Sequence, residues 1–353
     1  MKARKMLILL LLFAILLPLA SCSRGYGFYQ SVYYDLFDTV TVIRGYARNA
    51  TEFNSSVSVL YEGLSRCHKL FDAYKEYDGI SNIATVNKNA GASPVTVDKE
   101  IIELLEYSKQ LCESTSGAFD CSMGALTGLW KDASERAEQY KGGEGSEAET
   151  EAASVLPTPD ELERASELTG FEYLEIDKEN STVFITKEGV SLDLGAIAKG
   201  YAGDIALDIL KESSIKSAVL SLGGNVCLYG ENMEKDGLWT VGVQSPFGEG
   251  SMAELRLTDK AVVTSGDYQR YFTLEGRKYH HIIDPETLYP SEKFVQVTVI
   301  CHSSALADAV STALFVTELE EGMALAEKLG VQVIWVESDG RVTESEGIRA
   351  YKQ

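Results

Sequence analysis

The residue types that could bind an anionic ligand are concentrated in one stretch, Ser191–Asp204. Alternation of Leu192 and Leu194 with polar residues predicts the end of a half-buried strand, and the apolar spacing that follows predicts a helix. A glycine-containing turn joins the two, so the free backbone N–H groups at the helix start are close in sequence to Lys199 and Asp193. This combination suits a phosphate group, although a tight structural connection without any ligand would show the same pattern.

A second candidate site lies on a helix predicted over Ser304–Val316, which is apolar almost throughout. Asp308, Ser311 and Thr312 are polar exceptions, and their spacing places them on one helix face. Their oxygen atoms are suitable ligands for a hard cation such as Mg²⁺, and an oxygen-only set argues against zinc or copper. Alternatively, the two hydroxyl groups hydrogen-bond a buried carboxylate in a purely structural role.

His280 and His281 are two of the four histidines in the chain, and they are adjacent. In a strand their rings would point to opposite faces, so at most one of them would work in a given cleft. Histidine is the side chain best suited to accept a proton near neutral pH, although an adjacent pair on the surface needs no function. Short turns at Gly223–Asn225 and Thr264–Asp267 follow predicted strands and are uninformative when taken singly.

Composition limits the classes of function that the chain could have. Of its 353 residues, 45% are hydrophobic and 24% are charged, which is typical of a globular protein with a substantial core. The formal net charge of -21 argues against a nucleic-acid-binding protein, which would need the opposite sign. An anionic ligand must therefore be held by local groups, such as backbone amides or a divalent cation, against the field of the whole protein.

The N-terminus has the layout of a secretory signal. A basic start at residues 2–5 precedes the apolar run Met6–Leu17, which is short for a membrane span. The Leu19–Cys22 segment resembles a bacterial lipobox, which predicts that residues 1–21 are a signal peptide and that Cys22 is lipidated. The body would then be anchored at the extracytoplasmic face of the cell membrane. An uncleaved anchor helix is the alternative, and it places the body on the same side.

The rest of the chain predicts one α+β domain. Helical periodicity at residues 51–71 and 98–114, and a capping box that begins at Thr158, mix with many short strands after residue 171. So many consecutive strands argue against a doubly wound sheet. We therefore expect a single compact domain over residues 33–353, with a mixed, largely antiparallel sheet flanked by helices.

Two segments are predicted to lie outside the regular elements. Residues 22–32 have the Gly, Tyr and Ser composition of a linker, and the acidic residues 131–155 have that of a solvated, mobile loop. Five cysteines follow Cys22, without a Cys-x-x-Cys motif or a Cys/His cluster with zinc spacing. We expect mostly buried thiols; one disulfide is possible, but the spacing identifies no pair.

Taken in order, these stretches resemble the ApbE family of FAD:protein FMN transferases. The resemblance extends over roughly residues 33–340 in the order of the family motifs, which makes a chance match improbable. The matching stretches are Ser116–Asp120, Leu192–Ala202, Gly223–Asn225, Thr264–Tyr268, His280–Pro285 and Ala307–Thr312.

The resemblance implies Mg²⁺-dependent transfer of FMN from FAD to a Thr or Ser hydroxyl of a partner protein, with release of AMP. In the family, partners include flavin-carrying subunits of membrane redox pumps. Two alternatives remain, of which the first uses the same site. In one, water is the acceptor and FAD is hydrolysed to FMN and AMP; in the other, the protein is a non-catalytic flavin-binding lipoprotein.

The resemblance also implies roles for individual residues. The magnesium ligands would be Asp308, Thr312, Ser311 and the carbonyl of Ala196, and His281 would be the general base. The residues implied for the FAD site are Tyr74, Ala118, Phe119, Asp120, Asp193, Lys199 and Ile283.

The sequence departs from the family pattern at two places. The first strand has Phe37-Asp38-Thr39 where the family usually has Met-Gly-Thr, and Phe37 stands where relatives contact FAD. After Asp284-Pro285, Leu288 replaces a usual glycine, so a different local backbone is one expectation.

Overall fold

Eight strands form one antiparallel sheet in the computed structural model, which describes residues 25–140, 154–234 and 236–352. The strand order is β1-β2-β6-β7-β10-β13-β14-β15. Three of the seven neighbouring pairs, β2-β6, β7-β10 and β10-β13, join strands that are not consecutive in the chain, so long-range pairing assembles the middle of the sheet. The strands are β1 (Gly27–Leu36), β2 (Thr39–Ala47), β6 (Ser217–Leu222), β7 (Asn225–Tyr229), β10 (Ala261–Gly266), β13 (Gln296–Cys301), β14 (Gln332–Val336) and β15 (Val342–Glu344).

The remaining strands form three small antiparallel sheets among the described residues. They are β3 (Val95–Thr96), β4 (Leu174–Asp177) and β5 (Thr182–Ile185), the hairpin of β8 (Trp239–Gln244) and β9 (Ser251–Leu257), and the hairpin of β11 (Tyr271–Leu274) and β12 (Arg277–His280).

The helices lie between and after these strands. They are α1 (Ala50–Phe71), α2 (Ile83–Lys88), α3 (Lys99–Ser114), α4 (Gly124–Gln139), α5 (Pro159–Ser166), α6 (Ala198–Lys211), α7 (Ser304–Val316) and α8 (Leu319–Leu329), with 3-10 helices at Phe171–Tyr173 and Glu346–Tyr351. No helix within the described ranges is long and apolar enough to span a bilayer.

Two cores cover the two faces of the large sheet. Because side chains alternate along a strand, Val263 and Val299 pack against the helices, whereas Val262 and Ile300 pack against the β8–β9 hairpin. Helices α1 and α6 extend the first core along β1, β2 and β7. The α+β class and the largely antiparallel sheet are therefore as the sequence predicts.

The predicted linker is wrong over residues 27–32, which belong to β1. This strand pairs with β2 from Gly27 to Leu36, and the side chains of Tyr29 and Tyr33 pack against the core. The Tyr29 ring lies 5.4 Å from that of Phe53, and the Tyr33 ring lies 4.6 Å from that of Tyr61. Aromatic residues within a Gly- and Ser-rich segment thus anchor an edge strand.

The predicted acidic loop is wrong over residues 131–139, which continue α4. Trp130 and Ala133 are buried on its inner face, and Lys131 pairs with Glu135 one turn away at 2.7 Å. Residues 141–153, like the signal peptide and Cys22, lie outside the described part of the chain.

The strand predicted at Val190–Leu194 is also wrong, although its backbone is extended. Ser191 forms one isolated bridge, to Met123, and the amide N–H of Leu192 donates to the side chain of Asn87 at 2.7 Å. Side-chain and single-bridge partners thus replace a ladder. The capping box at Thr158 and Glu161 is present as predicted. Five cysteines are free thiols, four of them buried, and the described residues contain no disulfide.

Candidate active site

The predicted motifs converge at one end of the large sheet. The Gly223 N–H donates to the Val40 carbonyl at 3.2 Å, which joins the β6–β7 turn to the start of β2. Ser265, at the end of β10, pairs in register with Val297 at the start of β13. Asn225 begins β7 at the same end, so chain segments far apart in sequence surround one region.

Helix α6 brings Lys199 and Gly200 against Asp308 of α7. The Gly200 N–H donates to Asp308 Oδ2 at 2.8 Å, and Lys199 Nζ lies 3.8 Å from the same oxygen. A Cβ on Gly200 would lie 2.3 Å from the Ser304 carbonyl oxygen, so only glycine permits this approach of the two helices. Lys199 Nζ also donates to the Gly195 carbonyl at 3.3 Å, in the turn that contains Ala196.

A second carboxylate fixes the position of α7 relative to α6. Asp204 accepts hydrogen bonds from the Ser303 hydroxyl at 2.7 Å and from the N–H groups of Ser304 and Ala305 at 2.7 and 3.0 Å. These are donors of the first turn of α7, which favours a negative charge. Asp204 closes the anion-binding stretch in the sequence, and its role in the structure is to cap this helix.

The buried Asp308 carboxylate has few compensating partners. Burial raises its pKa, while the Lys199 ammonium, the Asn225 carboxamide and the Gly200 N–H oppose that rise. Asn225 Nδ2 is itself buried and has no hydrogen-bond partner of normal geometry in the described chain. The charge of the Asp308 carboxylate is therefore only partly compensated, and the Asn225 Nδ2 beside it makes no hydrogen bond of normal geometry to the residues that the structure describes.

The two hydroxyl groups predicted as ligands are in different surroundings. Ser311 Oγ is fully buried, 2.8 Å from Ser265 Oγ and 2.9 Å from the Asp308 carbonyl oxygen. Thr312 Oγ1 is partly exposed, and its two contacts, to Ser265 Oγ and the Asp308 carbonyl, are long at 3.5 Å. Thr312 thus has the more available oxygen, and Ser265 is a partner to which the sequence assigned no role.

These donors fit a hard cation. Carboxylate, hydroxyl and carbonyl oxygens are the ligand types that Mg²⁺ uses, so Asp308, Ser311, Thr312 and the carbonyl of Ala196 are chemically suited to hold it. The described residues contain no group of three or more His, Cys, Asp or Glu side chains that could hold a metal.

Asp193 organises the opposite wall. Its Oδ2 accepts hydrogen bonds from the hydroxyls of Tyr74 and Thr127, each at 2.9 Å, and its Oδ1 accepts the Gly195 N–H at 2.9 Å. The Tyr74 side chain is 57% exposed, so its ring presents an open aromatic face. Burial of the hydroxyl and the Asp193 charge raise the pKa of Tyr74, so the phenol stays protonated and donates.

Two partners in this wall were given no role by sequence reasoning. Thr127 lies on α4, and Lys131, one turn further on, places its Nζ 4.8 Å from the centroid of the Tyr74 ring. Lys131 falls within the segment predicted as a loop, so its role depends on the continuation of α4.

The adjacent histidines have different environments. His280 is buried, with Nε2 2.7 Å from the Ser291 carbonyl oxygen and Nδ1 accepting the Ile282 N–H. His281 follows the end of β12 and has an exposed side chain whose Nδ1 lies 3.1 Å from the Arg270 carbonyl oxygen. A carbonyl only accepts, so Nδ1 carries the proton and Nε2 of His281 is left as a free base.

The pKa of His281 is lowered although its side chain is exposed. Desolvation lowers its pKa to about 4, the Arg270 carbonyl opposes this, and the charges of Arg270, His280 and Lys199 add to the lowering. His281 is therefore close enough to Lys199 to be affected by its charge. Its role as a base stays a prediction, and the geometry is compatible with it.

The other residues predicted for the FAD site have side chains that are less exposed to solvent. Phe119 and Ile283 are buried in hydrophobic clusters, and Ala118 is partly buried between two of them. Asp120 turns to its own loop, where it accepts the Ser122 N–H at 2.7 Å and hydroxyl at 2.6 Å. The structure does not bring these side chains into contact with Asp308 or His281.

The two departures from the family pattern occupy left-handed turns. Leu288 has φ of 65°, a conformation that favours glycine, and Trp130 Nε1 donates to its carbonyl at 2.9 Å. The backbone of the turn therefore keeps a glycine-like conformation, and the expectation of a different one finds no support. Phe37 and Asp38, with φ of 53° and 52°, form the β1–β2 turn rather than strand.

Fold and site together define an α+β protein in which a buried carboxylate lies beside Lys199 and an exposed aromatic ring is held by Asp193. The model of the ApbE family matches residues 37–335, and the chain belongs to this family.

Relatives and solved structures agree with this membership. The chain is 32% identical over 331 residues to the FAD:protein FMN transferase of Treponema pallidum (strain Nichols), covering 88% of this chain and 85% of the relative. It is 31% identical over 279 residues to that of Klebsiella pneumoniae (strain 342), covering 76% and 81%. The crystal structure of the Thermotoga maritima ApbE protein superposes with a TM-score of 0.77 at 29% identity, over 93% of this chain and 100% of that one. The flavin transferase ApbE of Vibrio cholerae gives 0.75 at 25% identity, over 92% and 99%.

Proposed function

We propose that this protein transfers FMN from FAD to a Thr or Ser hydroxyl of a partner protein and releases AMP, with Mg²⁺ as cofactor. The observation that carries the proposal is that the buried Asp308 carboxylate lies against Gly200 and Lys199 where two helices cross, in a chain whose relatives are named FAD:protein FMN transferases. His281 would be the base that completes the site. A carboxylate that lacks positive charge, an ammonium group and a free imidazole nitrogen are the groups that this reaction needs.

The reaction is a displacement at the FMN-side phosphorus of the FAD pyrophosphate. The acceptor hydroxyl oxygen forms a new bond to that phosphorus, and the bond to the bridging oxygen breaks, so AMP leaves with the bridging oxygen. The hydroxyl proton passes to Nε2 of His281. Such a step depends on charge neutralisation and in-line positioning more than on covalent catalysis.

The residues of α6 and α7 have distinct roles in this account. Asp308 and Thr312, with Ser311 and the carbonyl of Ala196, would hold Mg²⁺, which neutralises phosphate charge when bound. Lys199 adds a second positive charge at 3.8 Å from Asp308. These local charges allow a protein of net charge -21 to bind an anionic dinucleotide.

The opposite wall would bind the aromatic part of FAD. Tyr74 offers its exposed ring for stacking, and Asp193 fixes the ring by its hydroxyl. Ala118, Phe119, Asp120 and Ile283 would border the site from the adjoining loops.

We further propose that the protein is lipidated at Cys22 and acts at the extracytoplasmic face of the membrane. The lipobox-like Leu19–Cys22 segment supports this placement. An acceptor on the same side, such as a flavin-carrying subunit of a membrane redox pump, would then be within reach.

The test is a reaction of the purified full chain with FAD, Mg²⁺ and a candidate acceptor domain, followed by intact mass and AMP release. We expect the acceptor to gain the mass of one FMN, in step with AMP, and EDTA to abolish both products. AMP without an adduct would favour hydrolysis, and intact FAD after prolonged incubation would favour a non-catalytic binder.

A further inference from the structure

His68, in the last turn of α1, joins two segments that flank the Tyr74 wall. Its Nδ1 accepts the Phe37 N–H at 3.2 Å, from the turn between β1 and β2. Its Nε2 lies 3.3 Å from the hydroxyl of Tyr77. Tyr77 belongs to the loop between α1 and α2, residues 72–82, which also carries Tyr74 and is called the Tyr74 loop below. The Phe37 ring also packs edge-on against the imidazole, with centroids 5.6 Å apart. One side chain therefore contacts both segments.

The partners of His68 define its tautomer. A backbone N–H can only donate, so Nδ1 of His68 must be unprotonated and the proton resides on Nε2. Nε2 then donates to the Tyr77 oxygen, and the Tyr77 hydroxyl donates to Asp72 Oδ2 at 2.9 Å. Every donor in this series has an acceptor, so the neutral imidazole completes the chain of hydrogen bonds.

The series ends at the residue that shapes the Tyr74 loop. Asp72 Oδ1 accepts the backbone N–H groups of Tyr74 and Lys75, at 2.9 and 3.0 Å. Tyr74 in turn donates its hydroxyl to Asp193 in the wall of the cleft. Hydrogen bonds therefore run from the β1–β2 turn through His68, Tyr77 and Asp72 to the backbone of Tyr74.

We propose that His68 is a positioning residue for FAD, which holds the Tyr74 loop against the β1–β2 turn so that the Tyr74 ring is preorganised for the flavin cleft. This inference rests on the proposed function for the identity of the ligand. A loop held in its binding conformation before the ligand arrives loses less conformational entropy on binding, which strengthens affinity without changing the chemical step.

A role confined to the end of α1 would require different partners. A basic residue in the last turn of a helix can stabilise the free carbonyl groups there. The two ring nitrogens of His68 instead contact Phe37 and Tyr77, in other segments. The positioning role therefore predicts effects in the Tyr74 loop, beyond any loss of helix stability.

The test compares four variants of the full chain, purified in detergent. His68→Leu removes both hydrogen bonds with little change in size, and His68→Gln supplies one acceptor and one donor as a conservative replacement. Tyr77→Phe interrupts the series without altering α1. His302→Leu is the matched control, because His302 is exposed and contacts Lys260 beyond the far end of β13.

Two measurements are made on each variant. Amide hydrogen exchange of the apo protein reports how well ordered the Tyr74 loop is without any ligand. FAD affinity in EDTA, together with kcat and KM in Mg²⁺, reports how that order affects FAD binding and turnover. For His68→Leu we expect exchange at Tyr74 and Lys75 to be about tenfold faster and FAD to bind about tenfold more weakly, the effect of losing ordinary hydrogen bonds. kcat should stay within about twofold. Tyr77→Phe should act in the same direction, while His68→Gln and His302→Leu should resemble the wild type.

Unchanged exchange and affinity in both His68→Leu and Tyr77→Phe would overturn the proposal, as would a fall in kcat at constant affinity. If His68→Leu does not fold, Tyr77→Phe decides by the same criteria. A wild-type protein that neither transfers nor cleaves FAD would refute the proposed function. The exchange data from the apo protein would still decide whether His68 positions the loop.

Discussion

The Asp308 carboxylate is buried between α6 and α7, where it accepts the Gly200 N–H and lies 3.8 Å from the Lys199 ammonium. Burial raises its pKa, which means that the surroundings do not fully stabilise its charge. A divalent cation at this position would supply the missing charge. The metal requirement is therefore best tested at this residue.

We expect Asp308→Asn to lower FMN transfer by at least about a hundredfold at a fixed Mg²⁺ concentration, because a neutral amide replaces the charged ligand. The Mg²⁺ concentration for half-maximal rate should rise as well. Asp208→Asn is the control and should behave as wild type, because Asp208 is an exposed carboxylate of α6. A full rate in Asp308→Asn with an unchanged Mg²⁺ requirement would refute the metal assignment.

The low pKa of His281 predicts the pH dependence. A general base must be unprotonated, and desolvation with nearby positive charge lowers this pKa to about 4. The acid limb of kcat/KM should therefore fall near pH 4 rather than near the usual 6.5 of histidine, leaving the rate flat around neutrality. A measured acid limb at or above 6.5 would contradict the desolvated environment.

A matched pair of variants tests whether that limb belongs to His281. His281→Gln should lose the limb and reduce kcat by about a hundredfold or more. His302→Gln should retain both the limb and the rate, since His302 lies beyond the opposite end of β13.

At the residue scale, the sequence shows which side chains carry chemistry but not their partners. Asp308, Lys199 and His281 are recognisable from their motifs because chemistry restricts the residue type. Thr127 and Ser265 have roles that arise only from contacts more than forty residues away in the chain, at 2.9 and 2.8 Å. No local pattern distinguishes such hydroxyls from those of ordinary turns.

At the scale of elements, the crossing of α6 and α7 positions the site. Gly200 permits close contact with Ser304, and Asp204 caps the first turn of α7. Two independent contacts therefore fix how far apart the helices lie and which face of α7 turns to Lys199.

Replacement of Gly200 tests this crossing. In Gly200→Ala the new Cβ would lie 2.3 Å from the Ser304 carbonyl oxygen, so the helices must separate. We expect a loss of about 1–3 kcal/mol in the free energy of unfolding, measured by urea denaturation. A higher Mg²⁺ concentration should also be needed for half-maximal activity. Gly128→Ala on α4 meets nothing within 4 Å and should gain about 0.5–1 kcal/mol. Equal stability of the two variants would show that the helices are not held at contact distance.

Helices and strands with a strong hydrophobic periodicity or a capping motif were predictable from the sequence. Elements that depend on pairing with distant segments were not. The apolar spacing of α1 and the capping box of α5 are local signals, and both elements lie where expected. The extended Val190–Leu194 segment has the alternation of a strand, yet it is held by Asn87 and a single bridge. The composition of β1 resembles that of a linker, but the segment is a strand because it pairs with β2.

At the scale of the whole molecule, the sheet places the ends of distant strands beside α6 and α7. The α+β class followed from the number of short strands, but the order β1-β2-β6-β7-β10-β13-β14-β15 has no local signature. The net charge of -21 acts at the same scale, since it leaves anion binding to the few cations of the cleft. The fold therefore builds the candidate site from several segments that are distant in the sequence, rather than from one motif.

The most direct test follows one labelled atom through the reaction. The full chain is mixed with FAD, Mg²⁺ and an acceptor domain in water labelled with heavy oxygen, and the AMP, free FMN and acceptor adduct are weighed by mass spectrometry. If the hydroxyl of the acceptor attacks the FMN-side phosphorus, AMP and the adduct form in equal amounts and neither carries the label. Labelled free FMN in place of the adduct would show that water is the acceptor, and labelled AMP would show attack at the other phosphorus; either result would contradict protein flavinylation as the activity of this site.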